Sequence, residues 1–185
     1  MPRFSRRSPE KELYAGLALQ AAAICYRVRG AELEFLLVKT SSGKWTFPKG
    51  RIEPVLTASE SASREAWEEA GARGKIEREH FAVYLDTKRT IGHGSSTREI
   101  MIAAFLFEVH NTTEPEERHR NPTWFAPEEA RKKLQESRAP RYALQISSVV
   151  DAAVECLFHK KMPQFPALVS SSRRARIAPL RAENK

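Results

Sequence analysis

Residues 15–28 are mostly apolar, with a partial alternation that ends in Tyr26-Arg27-Val28, a pattern that predicts a strand. Arg29-Gly30-Ala31 supplies a turn, and Phe35-Leu36-Leu37-Val38 gives a second strand, completing a hairpin. After the loop Ser41-Ser42-Gly43, Trp45-Thr46-Phe47 reads as a short strand leading into Pro48-Lys49-Gly50. The pattern then turns helical up to about residue 70. Residues 81–91 and 99–109 are β-rich and are joined by Gly92-His93-Gly94-Ser95-Ser96; residues 111–121 form a polar loop. Trp124-Phe125 predicts a short edge strand, and Pro127 opens a helix at a position that tolerates proline. A last helix runs over residues 142–159, with Ile146, Val149, Val150, Ala153, Val154 and Leu157 on one face. Mixed strands with a few helices predict an α/β protein, an α/β/α sandwich around a mixed sheet. The single domain spans 13–162, between a flexible basic arm (1–12) and a flexible basic tail (163–185).

Composition narrows the classes. The 185 residues are enough for one domain with a proper core, and 41% hydrophobic against 29% charged residues describe a globular chain. Thirty-one Lys plus Arg against 23 Asp plus Glu give a net charge of +8, with basic clusters at Arg3, Arg6, Arg7 and at Arg173, Arg174, Arg176. Such a field attracts polyanions, whether phosphorylated metabolites or nucleic acid. Cys25 and Cys156 are too few for a disulfide framework and lack metal-site spacing, which points to a reducing cytoplasm. The early arginines and the apolar stretch 13–25 mimic a secretory leader, but Glu10, Glu12 and Gln20 interrupt it. No segment is long enough to span a bilayer. The histidines have no metal-ligand spacing, and the absence of GxGxxG, P-loop and nucleophile-elbow motifs argues against dehydrogenase, kinase and serine hydrolase readings.

The chemistry concentrates between Gly50 and Ala72. At about 100° per residue, Glu65, Glu68 and Glu69 fall within an arc of roughly 100° on one helix face, with Ser63, Ala66, Trp67 and Ala70 opposite. Thr57 and Glu60 have the spacing of a capping box, and Gly71 stands where a C′ glycine ends a helix. Like charges at i,i+4 destabilise a bare helix by roughly 0.2–0.5 kcal/mol per pair. A stripe of three carboxylates therefore calls for a cation, and hard oxygen ligands suit Mg²⁺ or Mn²⁺.

This segment resembles the Nudix box, the signature of the Nudix hydrolase family. From Gly50, the residues Arg64, Glu65, Ala66, Glu68, Glu69, Gly71 and Ala72 fall in register; Leu56 stands where the first glutamate of the box belongs. The resemblance implies the same sandwich fold and a metal-dependent pyrophosphohydrolase using Mg²⁺ or Mn²⁺. It implies Glu65, Glu68, Glu69 and the Gly50 carbonyl as metal ligands, and Arg64 as the group that orients a carboxylate. Glu53, or Glu116 and Glu117 from the later polar loop, would compensate for Leu56, which itself would serve as an apolar staple at the helix start. The run from Trp45 to Gly50 resembles relatives acting on diadenosine polyphosphates and diphosphoinositol polyphosphates. A clamp of Lys49, Lys88, Arg89 and Arg98, near His93, would then hold a phosphorylated small molecule. Two other readings are an ADP-ribose or sugar-nucleotide pyrophosphatase and a catalytically silent module that binds nucleotide or RNA through its basic surface. The intact Glu65, Glu68 and Glu69 favour the enzyme.

Overall fold

The computed structural model describes residues 18–90 and 96–161. The basic arm, the glycine-rich loop around His93 and the basic tail lie outside the described residues. Two strands organise the sheet, β1 (Ala18–Arg29) and the 17-residue β7 (Ser96–Thr112), which pair in parallel from Ala18↔Ile100 to Tyr26↔Glu108. Both are apolar on successive positions rather than alternate ones because both of their faces are covered. Each also has a divided outer edge. β1 pairs with β4 (Lys49–Arg51) at one end and with β2 (Glu32–Lys39) at the other. β7 pairs first with β6 (Ala82–Thr90) and then with β5 (Ala72–Ile76). β3 (Trp45–Thr46) and β8 (Thr123–Phe125) both pair with β2.

One helix covers one face and two cover the other, which is the sandwich expected from the sequence. α1 (Ala58–Ala70) lays Ala62, Ala66 and Ala70 against Ala21, Ala23, Ala103 and Phe105. Alanine on alanine lets the helix sit close to the sheet, which brings its neighbouring carboxylates near the strand ends. The buried stripe thus differs from the expected one: Ala62 and Glu69 are inside, while Ser63 and Trp67 are half-buried at the rim, where the Arg73 guanidinium lies 5.5 Å from the Trp67 ring. On the opposite face, α2 (Pro127–Gln135) and α3 (Pro140–Lys161) pack Ala130, Leu134, Ile146, Val149, Val150, Ala153 and Leu157 onto Ala22, Ile24, Tyr84 and Ile102.

The sequence pattern missed β4 and β5. Lys-Gly-Arg in β4 has no apolar alternation, and Arg73-Gly74-Lys75 in β5 is exposed, so neither carries the period-2 signal. β7 also runs three residues past the expected strand into the polar loop.

Candidate active site

α1 is fixed at both ends as its sequence requires. The Thr57 hydroxyl accepts from the Glu60 N–H at 3.2 Å, and the Glu60 carboxylate accepts from the Thr57 N–H at 2.8 Å. Gly71 adopts φ 61°, and its N–H donates to Trp67 O at 2.8 Å. The staple expected at Leu56 is not formed. Its helix-side counterpart is Ser61, whose hydroxyl accepts from the Glu53 N–H at 3.1 Å and so pins the box loop instead.

Along the exposed edge of α1, Arg64 donates to Glu68 at 2.6 Å and to Glu53 at 3.0 Å, joining the loop to the helix. Glu69 is buried. It accepts from the Lys49 N–H at 3.1 Å and pairs with Arg120 at 2.7 Å. Arg120 also pairs with Glu117 at 2.6 Å, and the Glu117 N–H donates to Glu68 O at 3.0 Å, so the later loop is tied directly to α1. Gly50 faces α1, and a Cβ on it would overlap the carboxylate of Glu65. The glycine is what makes room for that acid.

Burial, opposed by Arg120 and Lys49, pushes the Glu69 carboxyl up to about 7. Burial, with Glu68 and Glu117 nearby, also raises Glu65. Because the folded-state value of Glu69 lies above the ordinary carboxylate value, its contribution to stability is full below about pH 4.5 and is lost as pH rises through 7. The metal-free protein should therefore gain about 1 kcal/mol between pH 8 and pH 6 from this group. Urea unfolding at the two pH values, with Glu69→Gln flattening the difference, checks this; an unchanged difference would refute it.

A cleft of about 1060 Å³ opens beside these acids. It is lined by Glu65, Glu69 and Gly50, by the expected Lys49 and Lys88, and by Lys44, Arg51, Arg120 and Arg138, which the sequence reading missed. Arg98 stands across from Lys88 in the β6–β7 pair but is not part of the cleft wall, a correction to the expected clamp. The side chain of Arg89 lies outside the described residues. Glu117 is brought to the site. Its neighbour Glu116 is exposed and forms no ion pair among the described residues, so only one of the two auxiliary acids is placed. The Glu-x-x-Arg spacing of Glu117 and Arg120 was the available signal for the arginine; Arg138 had none, since only the tertiary fold brings it in.

The donor set suits a hard divalent cation. Glu65 and Glu69 offer carboxylate oxygens beside the Gly50 backbone, and Mg²⁺ needs only one or two carboxylates when it keeps several waters. Among the described residues no three acidic, histidine or cysteine side chains gather into a ready-made cluster. Glu68 is turned to Arg64 and Glu69 to Arg120.

Comparison with known proteins agrees with this geometry. A family model described as NUDIX domain matches residues 18–145. The asymmetrical bis(5'-nucleosyl)-tetraphosphatase of Caenorhabditis elegans is 26% identical over 106 residues, covering 56% of this chain and 74% of that protein. Diphosphoinositol polyphosphate phosphohydrolase 2 of Rattus norvegicus is 40% identical over 65 residues, 34% of this chain, which spans only 36% of that relative's length. The crystal structure of a C. elegans Ap4A hydrolase binary complex superimposes with a TM-score of 0.53 at 20% identity, covering 77% of this chain and 98% of that one.

Proposed function

The chain belongs to the Nudix family, as a hydrolase acting on pyrophosphate bonds, and from that premise we propose that its substrate is highly phosphorylated, of the diadenosine polyphosphate or diphosphoinositol polyphosphate kind. The observation that carries this reading is the cleft wall. Lys44, Lys49, Arg51, Lys88, Arg120 and Arg138 line it, against Glu65, Glu69 and Asp86, and among the described residues Ile100 is its one large apolar side chain. ADP-ribose and sugar nucleotides carry only two phosphates, fewer anionic groups than this set of cationic side chains can pair with. The two relatives named above carry polyphosphate substrates in their names, which supports the same choice.

Glu65, Glu69 and the Gly50 carbonyl would hold the divalent cation. Bound there, Mg²⁺ or Mn²⁺ would neutralise the anhydride oxygens and acidify a water. The chain's own part is positional: Arg64 holds Glu68 and Glu53 at the rim, Arg120 holds Glu69 and Glu117, and the cleft cations bind and align the phosphates. The free, buried Cys25 and the free Cys156 fit a cytoplasmic setting. No described helix is long and apolar enough to cross a membrane.

Assay with Mg²⁺ or Mn²⁺ should give a higher kcat/KM for diphosphoinositol polyphosphates or diadenosine polyphosphates than for ADP-ribose. Lys88→Ala should raise KM about tenfold for the former and little for the latter. A preference for ADP-ribose would overturn the substrate reading, and metal-independent binding without turnover would favour the silent module.

A second expectation concerns the missing glutamate at position 56. Glu117 is already tied to α1 and to Arg120, so Glu117→Gln should shift the metal activation curve severalfold. Leu56→Glu should shift it less, and Glu116→Gln not at all. Overlaying curves for Glu117→Gln and parent would remove Glu117 from the site.

A further inference from the structure

Lys49 divides the cleft in two. In β4, Gly50 lies opposite Ala21 and faces α1, while Lys49 lies opposite Ala22, whose side chain joins the core on the other face of the sheet. The Lys49 ammonium therefore belongs to the side remote from the box helix, the face that Asp86, opposite Ile100 of the same core cluster, also occupies.

On that side the structure holds a set of polar groups that the hydrolytic end does not use. Arg138 has only 4% of its side chain exposed. One of its terminal nitrogens donates to Leu134 O at 2.6 Å, the other stands 3.7 Å from Asp86, and its Nε is buried without a hydrogen-bond partner. Gln20 Oε1, on the same cleft wall, is likewise buried and unpartnered. Asp86 uses Oδ1 to accept from the Thr87 N–H at 2.8 Å, and its distance to Arg138 leaves Oδ2 short of a hydrogen bond. Buried polar groups ordinarily have a hydrogen-bond partner, so the unused Arg138 Nε, Gln20 Oε1 and Asp86 Oδ2 on one cleft wall indicate an intended partner. The backbone agrees. Ser137, just before Arg138, is held at φ 59°, a left-handed conformation that a non-glycine residue adopts at a cost. The corner behind it is anchored by Tyr142 and Arg141 on Glu99, at 2.7 and 3.1 Å.

We propose that Gln20, Lys49, Asp86 and Arg138 form a second subsite that takes a phosphorylated polyol, a ring bearing a phosphate monoester beside a free hydroxyl. This rests on the hydrolase reading above and names the part of the substrate that lies away from the anhydride. The phosphate oxygens accept from Arg138 Nε and Lys49. The neighbouring hydroxyl donates to Asp86 Oδ2, with the Gln20 amide completing its shell. Asp86 sets the specificity. An ionised carboxylate only accepts, so a bare polyphosphate offers it no donor and brings like charge against it. A nucleobase could satisfy such donors and acceptors, but among the described residues the cleft wall has no aromatic side chain to stack on one.

Calorimetry on the full chain without divalent metal, using inositol 1,4,5-trisphosphate and inorganic tripolyphosphate, tests this. The trisphosphate should bind at least tenfold more tightly. Asp86→Ala should bring the ratio within threefold, and Arg138→Lys, which keeps the charge but loses the Nε–H, should weaken the trisphosphate at least fivefold. Equal binding of both probes by the parent protein, or binding of neither, overturns the subsite, and this comparison does not depend on any variant folding. Product release with Mg²⁺ reports separately on the hydrolase. Hydrolysis of anhydrides with no probe preference discards the subsite and keeps the enzyme reading. A retained preference with no hydrolysis of either polyphosphate class supports the subsite and discards the substrate reading.

Discussion

Glu69→Gln should lower turnover of the preferred polyphosphate by about 10²–10⁴-fold at saturating Mg²⁺. The size of the effect follows from its position. Glu69 is the acid of the stripe that is buried, and it is held on both oxygens, by the Lys49 N–H and by Arg120. Its location is fixed before any ligand arrives, so the loss is of charge and not of an averaged contact. A glutamine has the same shape and can still accept from Lys49, so the metal-free fold should keep its stability at pH 8, where the raised carboxyl is a burden to it. Glu68→Gln should cost less, because Glu68 is turned to Arg64 at the more exposed edge. Product release and urea unfolding on the same preparations separate the two roles. Turnover within threefold of the parent for Glu69→Gln would remove it from the reaction, whatever Glu65 does.

The sequence carried the acidic helix well because each of its signals is local. Thr57, Glu60 and Gly71 are set by backbone geometry within a turn or two, and the i, i+3, i+4 spacing of the glutamates follows from the helix itself. The buried face was read less well. Periodicity gave Ala66 and Ala70, but it placed Ser63 and Trp67 inside and Glu69 outside, whereas the half-buried Arg120 makes an interior carboxylate tolerable. No local pattern announces such a partner 51 positions away. Of the expected clamp, Lys49 and Lys88 line the cleft, whereas Arg98, the cross-strand neighbour of Lys88, does not. The cations contributed by other elements, Lys44, Arg120 and Arg138, come together only through the strand order and the α2–α3 corner.

Two glycines that close the box should respond in opposite ways to the same substitution. At Gly71 the backbone has φ 61°, and a Cβ would overlap the carbonyl of Thr113, which belongs to the chain leaving β7. Neither the left-handed conformation nor the backbone carbonyl can yield cheaply; the first costs an alanine roughly 1–2 kcal/mol, and the overlap forces β7 away from the helix end. That carbonyl region is also tied to Gly71, whose O accepts from the Thr113 N–H at 2.9 Å. Gly71→Ala should therefore lower unfolding free energy by about 2–4 kcal/mol, with activity falling only as far as the folded fraction does. At Gly50 the obstacle is the far end of the Glu65 side chain, which can swing aside. Gly50→Ala should leave unfolding within about 1 kcal/mol of the parent while displacing an acid from the cleft, so turnover should fall at least tenfold in fully folded protein. Urea unfolding and steady-state kinetics on the two variants give the comparison. If Gly50→Ala unfolds as readily as Gly71→Ala, the glycine serves the fold. If it keeps full turnover, Glu65 works from somewhere other than the place its carboxylate now occupies.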